Sequence, residues 1–307
     1  MPSTTSTTGA DFERERTHLT AVAYRMLGSR AEAEDAVQET WLRYAGADRT
    51  AIRDPRGWLT TTTGRICLDV LRSARVRRAA YPGQWLPEPV VTPLPDPAAG
   101  FAPDPAAHAE RTDEVGMALL VVLERLSPEQ RVALVLHDAF AVPFEEIAAI
   151  LSTTAAAARK LASRARRAVA EGGAAHRADL AEQRRVLDAF LHAARSGDLA
   201  ALTAVLAPDV VALGDGGGIV SAQRNPVTGA DRVARFFAGL FRRAHGEVLA
   251  LTLRPVLVNG GAGVVTRGEY ADGRPVLGVL TVAVADGLIT AVYSQLNPHK
   301  LRALDDQ

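Results

Sequence analysis

Two basic tracts and one carboxylate-bearing tail hold the side chains with chemical potential. The first tract is Pro143–Ala170, PFEEIAAILSTTAAAARKLASRARRAVA. Its second half offers Thr154, Ala155, Arg159, Lys160 and Arg164 on one surface, with Arg166 and Arg167 beside them. Arginine and lysine neutralise phosphates and reach base edges, so this pattern suits DNA. The second tract, Arg49–Arg78, has eight arginines against Asp54 and Asp69. It includes the run Thr60–Thr63, whose hydroxyls could bond phosphates or bases if exposed. In the tail, Asp209, Asp215, Glu269, Tyr270 and Tyr293 are pocket candidates, but they assemble into no convincing acid/base pair. The loop Asp215-Gly216-Gly217-Gly218 lacks the Lys-Ser/Thr of a phosphate-binding loop. Cys67 is the only cysteine, which excludes an internal disulfide and a multi-cysteine metal site. It reads as a small buried residue, and no metal or cofactor is expected.

These residues need helices to position them. Phe144, Ile147, Ala148 and Leu151 recur at i, i+3, i+4 and i+7, the apolar face of a short helix. Ser152-Thr153-Thr154 breaks the pattern, and Thr154 can cap a second helix with the inner stripe Ala158, Leu161, Ala162, Ala165 and Val169. That is a helix-turn-helix with a small inner face and a cationic outer one. A solvated basic helix in an ordinary bundle is the plainer alternative. Upstream, Phe12, Leu19, Val22, Ala23, Met26 and Leu27 form a stripe ended by Gly28. Ser29-Arg30-Ala31-Glu32 reads as a capping box for a helix with Val37, Trp41 and Tyr44 inward. Asp54-Pro55 starts a long helix with Trp58, Leu59, Thr62, Ile66 and Val70 inward.

The 307 residues allow two or three domains, and 48% hydrophobic residues suffice for real cores. Thirty-five basic and 35 acidic residues balance, yet they lie in blocks that suggest separate binding surfaces. Met1–Ala10 reads as a frayed Ser/Thr-rich tail rather than a secretory signal. No apolar run approaches membrane-spanning length, so a soluble, cytoplasmic chain with no membrane partner is expected.

Residues 83–109 are proline-rich and should run extended. Trp85 and Leu86 are unusual in a plain tether, so Trp85-Leu86-Pro87-Glu88-Pro89 is expected to dock on something. Residues 110–173 read as a second helical module. After Glu171–Ala175, helices at Gln183–Ala194, Leu199–Leu206 and about Ala230–Arg243 flank a strand at Val210–Leu213. Val248–Val258, Gly263–Tyr270, Val276–Ala285 and Leu288–Gln295 then form an antiparallel meander, with turns at Asn259–Ala262, Asp272-Gly273 and Asp286-Gly287.

The segments SRAEAEDAVQETWLRYA and DPRGWLTTTTGRICLDVLRSARVRR resemble region 2 of extracytoplasmic-function (ECF) sigma factors. LSPEQRVALVLHDAFAVPFEEIAAIL with the basic helix resembles their region 4, and together these cover roughly residues 11–170. WLPEP in the linker resembles the SigJ-like subgroup, which carries a fused SnoaL-like domain of the NTF2-like superfamily. The resemblance implies a multidomain fold: two all-α sigma modules at 11–82 and 110–173, a linker at 83–109, and an α+β cone at 180–301. It implies that Asp35, Gln38, Glu39 and Arg43 dock on the β′ clamp of core RNA polymerase, with β as a further partner. Trp58, Thr60 and Thr61 would capture −10 bases of promoter DNA, although Trp58 reads equally well as core. Arg65, Arg72, Arg75, Arg77 and Arg78 would meet phosphates, and the helix-turn-helix would read the −35 element. Asp215–Gly218 and Asn297-Pro298-His299-Lys300-Leu301 are signature elements of a regulatory tail, expected near Trp85–Pro89 and across both sigma modules. Ile219 stands where lysine is usual in that signature, and His299 where aspartate is common.

Two functions follow. One is a sigma factor regulated in cis by its tail, with room in the cone for a small unidentified ligand. The other is an isomerase- or cyclase-like enzyme in the cone, with a DNA-binding N-terminal part. A cone filled by its own side chains would count against the second.

Overall fold

The computed structural model describes residues 4–94, 116–172 and 178–304; the side chains of residues 4–8, 49, 75–77 and 79 lie outside that description. The chain divides into two units, residues 1–80 with 122–173, and residues 81–121 with 174–307.

In the first unit, α1 (Thr4–Leu27), α2 (Arg30–Ala45) and α3 (Pro55–Ala79) pack together. Helix α1 starts at Thr4, eight residues before Phe12, the first residue of the apolar stripe, so 4–10 are not a frayed tail. Extending a helix already nucleated by Phe12, Leu19 and Val22 adds one hydrogen bond per residue fixed. Ser29 caps α2 through the Glu32 N–H, and Asp54 caps α3 through the Gly57 N–H at 3.1 Å. The Glu32 carboxylate lies 3.9 Å from Arg78.

A helix α4 (Met117–Leu123) precedes α5 (Pro128–Leu134), which Ser127 and Gln130 cap reciprocally. One π turn (Val135–Ala139) follows. Then come α6 (Phe144–Leu151) and α7 (Ala155–Glu171), the helix-turn-helix. Ser152 ends α6 with φ of +52°, a left-handed conformation that glycine adopts without steric cost. Thr154 caps α7 through the Ala157 N–H. Ile147, Ala148 and Leu151 meet the stripe Ala158, Ala162 and Ala165, all buried.

Regions that read as separate blocks pack together within this unit: α3 contacts both α5 and α6. Gly64 permits the approach, since a Cβ there would lie 3.3 Å from both Ile150 and Leu136 side-chain carbons. Arg131, only 3% exposed, donates to the carbonyls of Leu123 and Met26 and to Glu124 at 2.6 Å. Arg78 bonds the same Glu124 and the Leu27 carbonyl. One carboxylate thus neutralises two guanidinium groups that cap the end of α1.

The second unit holds α8 (Leu180–Ser196), α9 (Leu199–Ala204) and α10 (Ala230–Glu247) against a seven-stranded sheet. Its strands are β1 (Val91–Pro93), β2 (Leu206–Asp215), β3 (Val227–Thr228), β4 (Val248–Val258), β5 (Gly261–Tyr270), β6 (Pro275–Ala285) and β7 (Leu288–Gln295). The order is β1-β4-β5-β6-β7-β2-β3. β4 to β7 form the expected meander, whose Asn259-Gly260 and Asp286-Gly287 turns have positive φ at both residues. β2 joins it in parallel beside β7, and the linker supplies β1, antiparallel to β4.

Phe190, Phe237, Val264, Val282 and Val292 fill the space between helices and sheet. The other face of the sheet buries Val256, Val265, Val279 and Tyr293 under Leu86, Met117, Leu301 and Leu304. Among the described residues, no helix is long and apolar enough to cross a membrane.

Candidate nucleic-acid interface and linker dock

On α7, Thr154, Arg159, Lys160 and Arg164 are exposed and Ala155 is half-buried, as a DNA-reading face requires. Arg159 ion-pairs with Glu145 at 3.0 Å and stacks over Phe144. Arg166 grips Asp138 through two bonds of 2.5 and 2.7 Å. Lys160 and Arg164 have no ion pair among the described residues, so their charge is available to phosphate.

The start of α3 borders a groove of about 380 Å³ lined by Ile52, Gly57, Trp58, Thr61, Arg65 and Glu146. Trp58 is half-buried, its ring 5.7 Å from Tyr44, with the remaining surface on the groove. Thr60 must be corrected: it is 5% exposed and points away. Its hydroxyl donates to the Arg56 carbonyl and meets His18 Nε2 at 3.2 Å. Thr63 likewise bonds Leu59 O and Thr40. Back-bonding to the i−4 carbonyl satisfies a threonine hydroxyl and lets it enter a core.

Arg65 is exposed. Arg72 pairs with Glu129 at 3.1 Å. Arg78, expected on phosphate, is committed to Glu124 and the end of α1. The side chains of Arg75 and Arg77 lie outside the described residues.

The linker dock is built on Asp215, which is 0% exposed at the end of β2. One carboxylate oxygen accepts from the Tyr81 hydroxyl at 2.6 Å and the Gly217 N–H at 2.9 Å. The other accepts from the Leu86 N–H at 2.9 Å and Lys300 Nζ at 2.8 Å. Lys300 also donates to the Leu86 carbonyl and lies 3.9 Å over the Trp85 ring. Gln295 bonds the carbonyls of Leu86 and Pro87, and Asn297 bonds Tyr81.

Leu86, Pro87 and Pro89 are buried, Glu88 is half-buried, and Leu301 is 1% exposed beneath Leu86. The glycines are fitted to this dock. A Cβ on Gly216 would overlap the Val220 carbonyl, and one on Gly217 would strike the Asn297 side chain. On Gly218 it would strike Pro82. Pro298 caps nothing here; it is exposed at the start of a short turn whose cap is Asn297. Asn259 extends the dock by bonding both polar groups of Val90.

Three family models match the chain: Sigma-70 region 2 over residues 12–77, Sigma-70 region 4 over 116–169, and a SnoaL-like domain over 187–292. The ECF RNA polymerase sigma factor SigJ of Mycobacterium tuberculosis is 45% identical over 95% of this chain and 92% of its own length. The chain belongs to the ECF RNA polymerase sigma factors. A crystal structure of the M. tuberculosis SigJ superposes with a TM-score of 0.72 at 40% identity, covering 95% of this chain and 98% of the other. SigE of Mycolicibacterium smegmatis is 30% identical over 52% of this chain and 59% of its own.

On α2 the residues expected to meet polymerase share one face. Asp35, Gln38 and Arg43 are exposed, Glu39 pairs with Arg43 at 2.9 Å, and Leu42 stands 59% exposed among them. Sequence reasoning missed Leu42, Tyr81 and Gln295. Leu42 was findable, since it falls at i+7 from Asp35 on the same helical face. The candidate acid/base residues are not gathered: Asp209 and Glu269 are exposed, and Asp215 is committed to the linker. Cys67 is buried, and burial pushes its thiol far above the ordinary range.

Burial, then the hydrogen bond and charge of Asp215, push the Tyr81 phenol well above its usual value, against a smaller effect of Asn297. Unfolded tyrosine ionises near pH 10. Its contribution to stability is therefore complete below about pH 10 and is lost as pH rises toward the folded value. Tyr81→Phe should flatten that alkaline loss. Urea unfolding of both chains at pH 8 and pH 11 checks it; an unchanged pH difference refutes the assignment.

Proposed function

We propose that this sigma factor grips promoters at two points and that its C-terminal unit regulates it in cis by holding the linker. Trp58, Thr61 and Arg65 border the groove for unstacked −10 bases, where stacking and cationic contacts offset the cost of melting. Thr154, Ala155, Arg159, Lys160 and Arg164 read the −35 element, with α7 in the major groove. Asp35, Gln38, Glu39 and Arg43, joined by Leu42, engage the β′ clamp of core polymerase, and β is a further contact. Glu146 of α6 stands at the −10 groove, where its charge opposes phosphate, so α6 must leave before DNA enters.

The observation that carries the regulatory part is the dock itself: both carboxylate oxygens of Asp215 are used, on the linker, its own loop, Gln295 and Lys300. That use also argues against the cone as an enzyme. A small ligand remains part of the reading, on the helix side of the sheet.

In vitro transcription with core polymerase tests promoter reading. The Lys160→Ala/Arg164→Ala chain should lose about tenfold or more in output, and its binding should lose about two units of salt slope. Unchanged output from a −35-dependent promoter would exclude α7 as the reader.

A further inference from the structure

One groove of the second unit lies away from the linker dock. It encloses about 1000 Å³ between the end of α8, the outer half of α10 and the start of β4. Its floor is apolar: Ala194, Ala238, Phe241, Leu251 and Leu253. Its rim is cationic: Arg195, Arg235, Arg242 and His245, with no acidic residue in the lining. Arg235 is neutralised by Asp231 at 2.9 Å. Arg195, Arg242 and His245 have no hydrogen bond or ion pair among the described residues. The side chains able to neutralise an anion are therefore grouped beside an apolar floor.

Two glycines keep the wall low. Gly239 and Gly246 both sit in α10, where glycine weakens a helix relative to alanine. A Cβ at either would meet nothing within 4 Å. Side chains there would project into the open groove, so the space is held free at the expense of helix propensity.

We propose that this groove binds a small anionic amphiphile, with a carboxylate or phosphate head on Arg195, Arg242 and His245 and an apolar body on Phe241, Leu251 and Leu253. Its volume suits a molecule of drug size. The inference rests on reading the C-terminal unit as a ligand module, and it deepens that reading by giving the ligand its charge and shape.

Calorimetric titration of the full chain with decanoate and with decyl phosphate, below their micelle concentrations, tests it. Saturable binding of at least one, at one site per chain, is expected, and the preferred head identifies the anion. Decanol and decylammonium should bind at least tenfold more weakly. Gly239→Leu fills the groove and should weaken binding at least tenfold, with helix content by circular dichroism unchanged. Arg195→Gln/Arg242→Gln, on exposed positions, should do the same without touching the floor. Absence of saturable binding, equal binding of decylammonium, or wild-type affinity in both variants would overturn the proposal. Unliganded transcription, measured on the same chains, reports on promoter reading separately, so failure of one reading is not mistaken for failure of the other.

Discussion

Asp215→Ala is expected to release the linker from the C-terminal sheet. The substitution deletes the acceptor of five hydrogen bonds and leaves the Lys300 ammonium, 12% exposed, without its carboxylate. Removing one partner of a buried pair costs about 3–5 kcal/mol, because the remaining charge stays desolvated. Leu86 and Trp85 lose their anchor at the same time, since the Leu86 N–H and the cation over Trp85 are both positioned by that carboxylate. The tryptophan emission should shift to the red, and limited proteolysis should cut between Tyr81 and Val90. Lys300→Met should do less, because methionine can still cover Trp85 while Asp215 keeps four N–H and O–H donors. If Asp215→Ala leaves emission, proteolysis and unfolding midpoint unchanged, the dock does not hold the linker. Transcription by the same variant should differ from that of the parent chain; equal output at equal core binding would remove the regulatory role.

The second large effect is expected at Glu124. Its carboxylate is the shared partner of Arg131, 3% exposed, and of Arg78, 19% exposed by side chain. Glu124→Ala leaves the buried Arg131 guanidinium without its carboxylate and Arg78 with Glu32, 3.9 Å away, and a loss of roughly 3–5 kcal/mol follows from the same physics. Chemical denaturation monitored in the first unit measures it. The triple replacement Arg78→Met/Glu124→Leu/Arg131→Met should recover most of that loss, because it removes the desolvated charges together with their partner. A triple variant no better than Glu124→Ala would mean that the carbonyls of Met26, Leu27 and Leu123 depend on the arginines more than the arginines depend on Glu124.

What the sequence disclosed depended on how local each cause is. The helix-turn-helix was legible because Ile147, Ala148 and Leu151 repeat at helical spacing and Thr154 supplies a cap. The meander was legible because Asn259-Gly260 and Asp286-Gly287 mark tight turns. The dock was half legible. Trp85 and Leu86 stood out as apolar residues in a proline-rich tether, and the Asp215–Gly218 loop entered through its resemblance to a regulatory-tail signature. Tyr81 did not stand out, because its partner lies 134 residues away. Nor did the parallel pairing of β2 with β7, which no turn specifies. The threonine run misled for a physical reason: its exposure was read from polarity, while bonds to Arg56 O and Leu59 O satisfy the hydroxyls and allow burial. Arg131 drew no reading from the sequence. An arginine in a polar stretch reads as surface until the carboxylate that permits its burial is known. In the helix-turn-helix, the positions of Lys160 and Arg164 came from the pattern, but the pairing of Arg166 with Asp138 required the fold.

The dock also has a bearing on synthesis. Lys300 lies 214 residues downstream of the Leu86 carbonyl it grips, and Gln295 lies 209 downstream. At translation rates of about 5–20 residues per second, the linker leaves the ribosome roughly 10–40 s before its last partners are made. Both sigma regions, residues 12–77 and 116–169, precede those partners as well. In a nascent chain that has not yet reached residues 295–300, the linker therefore stands without these partners.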